Sequence, residues 1–169
     1  YSAMKFLIFT VLGSAFMLAG ILSLYFTTGS LSMVDIAQTG LAPFRAAIPV
    51  AAIFFLLLIG FAVKLPVFPL HTWLPDAHTD APTAVSIMLA GVLIKMGGYG
   101  MIRLCVTIFP QVAQNYALPL VVLAIIGVLY GAAVTMRQTD FKRLIAYSSI
   151  SHMGYVLLGI FALGQVSLV

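Results

Sequence analysis

The chain has 169 residues, of which 63% are hydrophobic and 7% charged, with a mean hydropathy of +1.17. Soluble domains carry roughly a quarter charged residues, so a soluble fold is excluded and a polytopic transmembrane helix bundle, all-α, is predicted. The formal charge of +4 comes from eight Lys and Arg against four Asp, placed singly along the chain with no basic stripe, which argues against nucleic acid as a partner.

Cys105 is the only cysteine, so neither an internal disulfide nor a thiolate cluster holding a metal is available. It reads as an apolar packing residue. The first residue is Tyr1, and the apolar run after Lys5 is too long, and lacks the small-residue cleavage site, for a signal peptide. A piece of a longer protein is expected.

A bilayer core of about 30 Å takes about 20 apolar residues per helix, and five runs qualify within one transmembrane domain covering residues 1–169. The first is 6–26, followed by a polar connection from Thr27 to Arg45 that holds Asp35 and Gln38. The second is 46–63, broken at 64–69, where Pro66 and Pro69 remove backbone donors. Helix resumes through His71 to Asp76. Asp80-Ala-Pro82 reads as a helix start, with Asp80 at or near the cap and Pro82 in the first turn, opening a third span at 83–108. Beyond Pro110 a polar loop is predicted from Gln111 to Asn115. The fourth and fifth spans, 118–136 and 144–163, are joined by a charged turn containing Arg137, Asp140, Lys142 and Arg143. Alternating sides puts Lys5, Arg137, Lys142 and Arg143 on one face of the membrane and Arg45 and Arg103 on the other. The positive-inside rule makes the first face cytoplasmic.

Lys95 lies about eight residues from Arg103 and twelve from Thr83, roughly 12 Å or more from either helix end at ~1.5 Å per residue. A charge at such depth costs at least about 2.5 kcal/mol and ordinarily faces a bundle interior or a water-filled path. A structural ion pair with an acid on another helix is the alternative. Lys64 stands where the second span meets Pro66. It reads either as a lysine snorkelling from a helix end or as a member of an ion site of the kind that discontinuous helices build near the midplane. A cation is favoured at the negative end of a half-helix. A lysine's grip on its proton weakens in an apolar surround and tightens beside a carboxylate, so an acid that moves can switch it.

His71, Asp76, His78 and Asp80 fall within ten residues but fit no common zinc spacing. His71, seven residues after Lys64, suits a hydrogen-bonded proton chain, because imidazole titrates near neutral pH. Asp76 and His78 read as groups that cap and tie the loop. His152 lies about eight residues into the fifth span among serine hydroxyls, either as a proton relay or as a histidine satisfied by one interhelical hydrogen bond. Gly91, Gly97, Gly98 and Gly100, with Gly127 and Gly131, read as sites of close helix approach. Tyr130 and Tyr147 need partners for their phenols, and nothing marks them as catalytic.

The stretch Phe61-Ala-Val-Lys-Leu-Pro-Val-Phe-Pro-Leu-His-Thr-Trp-Leu-Pro-Asp-Ala-His78, then Ala81-Pro-Thr, then Leu89-Ala-Gly-Val-Leu-Ile-Lys-Met-Gly-Gly-Tyr-Gly100, closely resembles the antiporter-like membrane subunits of complex I and their photosynthetic relatives, of the subunit 4 (M or D) type. Asp140-Phe-Lys-Arg-Leu-Ile-Ala-Tyr-Ser-Ser-Ile-Ser-His-Met-Gly154 supports the resemblance, which covers nearly the whole chain. It implies helices six to ten of a fourteen-helix antiporter-like fold. Lys64 then matches the lysine of the broken seventh helix and Lys95 that of the eighth, while His71 and His152 match histidines between these and the neighbouring half-channel. The family's glutamate on helix five and charged residue on helix twelve have no counterpart in this stretch, so the chain by itself is not expected to pump.

The function implied is that of a proton-translocating subunit of a respiratory or photosynthetic NADH- or ferredoxin-quinone oxidoreductase. NADH or ferredoxin and the quinone, plastoquinone included, would bind other subunits, with no cofactor and no metal held by this chain. Partners would be other membrane subunits, homologous antiporter-like subunits among them, and lipid. The location would be a bacterial plasma membrane, a thylakoid membrane or the mitochondrial inner membrane. The alternatives are a subunit of a multisubunit cation/proton antiporter or membrane-bound hydrogenase, and a non-translocating helical scaffold.

Overall fold

The computed structural model describes residues 1–34, 36 and 49–162, and every regular element among them is helical. Asp35, Gln38 and Arg45 of the polar connection, the start of the second run at 46–48, and Leu163 lie outside the described residues.

Helix α1 spans Ser2–Thr28 and ends at Gly29, whose φ of 69° is the left-handed conformation that glycine adopts without strain. Helix α2, Val50–Lys64, begins just after Pro49. The two pack through glycines. A Cβ added to Gly13 would lie 2.9 Å from Cβ of Val63, and one on Gly60 would lie 2.9 Å from the carbonyl oxygen of Gly13. Only hydrogen side chains allow this approach.

After the break, α3 runs Trp73–Asp80. Asp80 therefore closes a helix and does not cap the next one: a helix does start here, as predicted, but Pro82 occupies its cap position, with no side-chain cap bond. Proline needs no hydrogen-bond partner at a helix start. Helix α4, Thr83–Val106, contains two π-helical turns, Leu89–Leu93 and Met101–Val106, on either side of Ile94–Gly100. The loop predicted at Gln111 to Asn115 is also corrected, to a short helix α5, Pro110–Asn115, with proline in its first turn.

Helices α6, Ala117–Met136, and α7, Phe141–Phe161, form an antiparallel hairpin. Asp140 caps α7 by accepting a 2.9 Å hydrogen bond from the Lys142 amide. Gly131 of α6 sits against Ser151 of α7, where an added Cβ would lie 2.9 Å from the Ser151 nitrogen. Ser151 Oγ donates to the Val128 carbonyl at 3.2 Å.

Helices α1, α4, α6 and α7 are each long and apolar enough to cross a membrane, and α2 is a shorter apolar helix. The α3 helix is wedged between the start of α1 and the first half of α7. Phe6 lies 5.4 Å from the Trp73 ring, and Lys142 Nζ donates to the carbonyls of Thr79 at 3.4 Å and Ala81 at 3.3 Å. Lys5 and Lys142 thus meet the same end of the bundle.

Candidate functional site

The break follows from two missing amide hydrogens. The Ala62 carbonyl would ordinarily accept from residue 66, but Pro66 has none to give, and Val67 N donates to it instead at 3.0 Å. That takes the amide which the Val63 carbonyl would have used. Trp73 Nε1, fully buried, supplies the replacement at 3.0 Å, so the indole latches the two half-helices together. Lys64 is the last residue of α2 and is half-buried.

The depth of the break follows from its neighbours. Val63 packs on Gly13, about 17 Å along α1 at ~1.5 Å per residue. Leu65 packs on Gly97, where a Cβ would lie 2.9 Å from the Leu65 amide nitrogen, about 21 Å along α4. Lys64 therefore stands near mid-depth. A cavity of about 10 Å³ adjoins the break, lined by Pro66, Val67, Phe68, Gly127 and Gly154 among others, which is the scale of a single water.

His71 lies in the connection after the break and is 3% exposed, and its Nδ1 is buried without a hydrogen-bond partner among the described residues. Buried polar atoms are nearly always paired, so an imidazole left in this state calls for a functional explanation. His78, read from sequence as a loop tie, is also buried with its Nε2 unpartnered. Asp76 does tie: its carboxylate accepts from Lys5 Nζ at 2.7 Å, joining α3 to α1.

Lys95 is two residues from Gly97, so its side chain leaves α4 on the side away from the break, and it is exposed in this chain. His152 is likewise exposed on α7. Their helices start at the same end, where Lys142 reaches the Thr79 and Ala81 carbonyls, so they run parallel. A Cβ on Gly98 would lie 3.5 Å from Val156. Lys95 and His152 each precede that contact by about one turn and stand at one level on adjacent helices. Of the four predicted residues, Lys64 ends the helix before the break and His71 lies buried after it, while Lys95 and His152 are exposed at one level on parallel helices. The described residues leave Lys95 exposed and do not form a bundle interior around it.

Sequence reasoning missed the π-turns bracketing Lys95, although such turns are frequent at functional sites. It also missed the ring cluster of Phe68, His71 and Tyr130. No three His, Cys, Asp or Glu side chains among the described residues gather as a metal site.

All of residues 1–169 match the family described as NADH:quinone oxidoreductase/Mrp antiporter, transmembrane. NAD(P)H-quinone oxidoreductase chain 4 1 of Picosynechococcus sp. is 51% identical over 95% of this chain and 30% of its own length. NADH-quinone oxidoreductase subunit M of Rickettsia prowazekii is 40% identical over 99% and 34%. The chain spans about a third of the length of these relatives. Among solved structures, respiratory complex I from Thermus thermophilus with bound NADH aligns with a TM-score of 0.83 at 34% identity, over 95% of this chain and 34% of the other. The Mrp complex from Dietzia sp. aligns at 0.83 and 26% identity, over 96% and 30%. The chain is a membrane-embedded member of the NADH:quinone oxidoreductase/Mrp antiporter transmembrane family.

Proposed function

We propose that this chain forms the central helices of a proton-translocating subunit of a complex I type NADH- or ferredoxin-quinone oxidoreductase, with Lys64, His71, Lys95 and His152 as its proton-relay groups. The supporting observation is the helix break at mid-depth, with Lys64 at the carbonyl end of α2 and a buried, incompletely bonded His71 just beyond it. A proton at Lys64 Nζ passes to or from the His71 imidazole, through water where the side chains do not touch. Lys95 and His152, level with each other on parallel helices, continue the path toward helices that the longer relatives carry. Quinone and electron donor would bind other subunits. Redox energy would reach this chain as movement of a charge that changes how firmly the lysines hold their protons.

Likeness to an Mrp complex, with a TM-score of 0.83, and the Mrp antiporter of the family description favour cation/proton antiport as a second reading of the same relay. The test is proton pumping and quinone-reductase activity in membranes carrying Lys64→Ala or Lys95→Ala in the full-length subunit, with assembly checked on native gels. An assembled complex that no longer pumps is expected. Undiminished pumping in both variants overturns the relay and leaves a packing role.

A further inference from the structure

The second half-helix, α3, runs out of backbone donors at its far end. Ala81 N donates to the Ala77 carbonyl at 3.1 Å, and Pro82 has no amide to follow it. The His78 carbonyl, which residue 82 would have served, takes the Ser86 hydroxyl at 3.4 Å. The carbonyls of Thr79 and Ala81 receive no backbone amide among the described residues. Lys142 Nζ donates to both, at 3.4 Å and 3.3 Å. Lys142 stands in the first turn of α7, where the dipole of its own helix disfavours a cation, whereas the carbonyl end of α3 favours one. It pairs with no carboxylate among the described residues. The reach of this lysine is thus explained by α3 and not by α7.

We propose that Lys142 is a positioning residue which caps α3 from the neighbouring hairpin and so fixes the orientation of His71. The proposal rests on the relay reading of His71. Hydrogen bonds tie the start of α3 to α2 through Trp73, its middle to α1 through Asp76 and its end to α7 through Lys142. Two attachments leave a short helix free to turn about the line that joins them, and the third removes that freedom. His71 turns with α3, because its carbonyl accepts from the Leu74 amide at 3.0 Å. Misplacement of a reacting group by about 1 Å can cost about a hundredfold in rate, so a small rotation of α3 is enough to slow proton hand-off at the imidazole.

The experiment compares Lys142→Met, Lys142→Arg, Arg143→Gln and His71→Gln in the intact complex, reading pumping and its solvent deuterium isotope effect. Lys142→Met is expected to slow pumping by about two- to fivefold, the weight of a cation at a helix C-terminus, and to raise the isotope effect. Lys142→Arg keeps a cationic donor for the two carbonyls and is expected to preserve both readouts. Arg143→Gln removes the same charge from the same turn without touching α3 and is also expected to match the parent. Should Lys142→Met not assemble, Lys142→Gln removes the charge with a polar side chain and is read in the same way. If His71→Gln pumps normally, the relay reading of His71 fails and takes the positioning role with it. If His71→Gln is inactive while Lys142→Met matches the parent, the cap alone is overturned. Slowing by Arg143→Gln equal to that by Lys142→Met would assign the effect to the charge of the membrane face and overturn it. So would slowing by Lys142→Met with an unchanged isotope effect, or a Lys142→Arg variant as slow as Lys142→Met.

Discussion

Lys64 ends a helix that is broken and encased, whereas Lys95 sits in a helix that runs on past it and leaves it exposed. Around Lys64 the backbone has been rewired. Val67 and Trp73 take over carbonyls that proline deprives of donors, and α1 and α4 approach so closely that only glycine fits at Gly13 and Gly97. Around Lys95 the carbonyls stay within a helical ladder, loosened by π-turns on both sides. The first lysine is held by tertiary structure and the second by its own helix. Substitutions near the break should therefore be felt throughout the bundle, and those on the Lys95 face should be felt locally.

Gly97 and Gly91 give the largest contrast within one helix. A Cβ at Gly97 would lie 2.9 Å from the Leu65 nitrogen and 3.2 Å from Leu65 Cβ, whereas one at Gly91 meets nothing within 4 Å. Backbone cannot yield as a flexible side chain does, so Gly97→Val is expected to destabilise by about 1–3 kcal/mol or more and to abolish pumping. Gly91→Ala is expected to be neutral or to stabilise by about 0.5–1 kcal/mol, from the lower helix cost of alanine. Thermal melting of the assembled complex measures both. An equal loss at Gly91 would break the contrast, since it would mean the Lys95 face is packed as tightly as the break.

Trp73→Phe probes the latch itself. The ring volume is largely kept, but the Val63 carbonyl loses the donor that replaced its amide. An unpaired buried carbonyl costs about 1–3 kcal/mol, and the freed half-helix should let Lys64 shift, so a lower melting temperature should come with slower pumping. A lower melting temperature with unchanged pumping would separate the latch from the relay.

The broken helix was legible because its cause is local: Pro66 and Pro69 announce lost donors in any context. The depth of Lys95 was legible from residue counting alone. Its exposure was not, because helical phase against α2 depends on where Gly97 meets Leu65, and the π-turns that alter that phase lie in an apolar stretch with no distinguishing residue. Asp80 misled because Asp before Pro is a good start signal, yet here the preceding helix runs up to it. The ring cluster at His71 was hidden for a different reason. Tyr130 looks like any span tyrosine until α6 is folded against the break.

Lys5 and Asp76, 71 residues apart, make the mildest test of the same contrast. Their N···O distance is 2.7 Å, but the side chains are 22% and 30% exposed, and pairs in contact with water contribute about 0–1 kcal/mol. The other restraints on α3 are the buried Trp73 latch, the Phe6 contact and the Lys142 bonds to its last carbonyls. A double-mutant cycle with Lys5→Met and Asp76→Asn, read by thermal melting, is therefore expected to give a coupling below about 1 kcal/mol. The coupling should shrink further as salt shortens the screening length toward ~3 Å at 1 M. A coupling of about 3 kcal/mol or more that resists salt, as for a buried pair, would mean that α3 is held chiefly by charge at the membrane face. In that case the half-helix carrying Trp73 would answer to the electrostatics of that face as well as to the packing around Lys64.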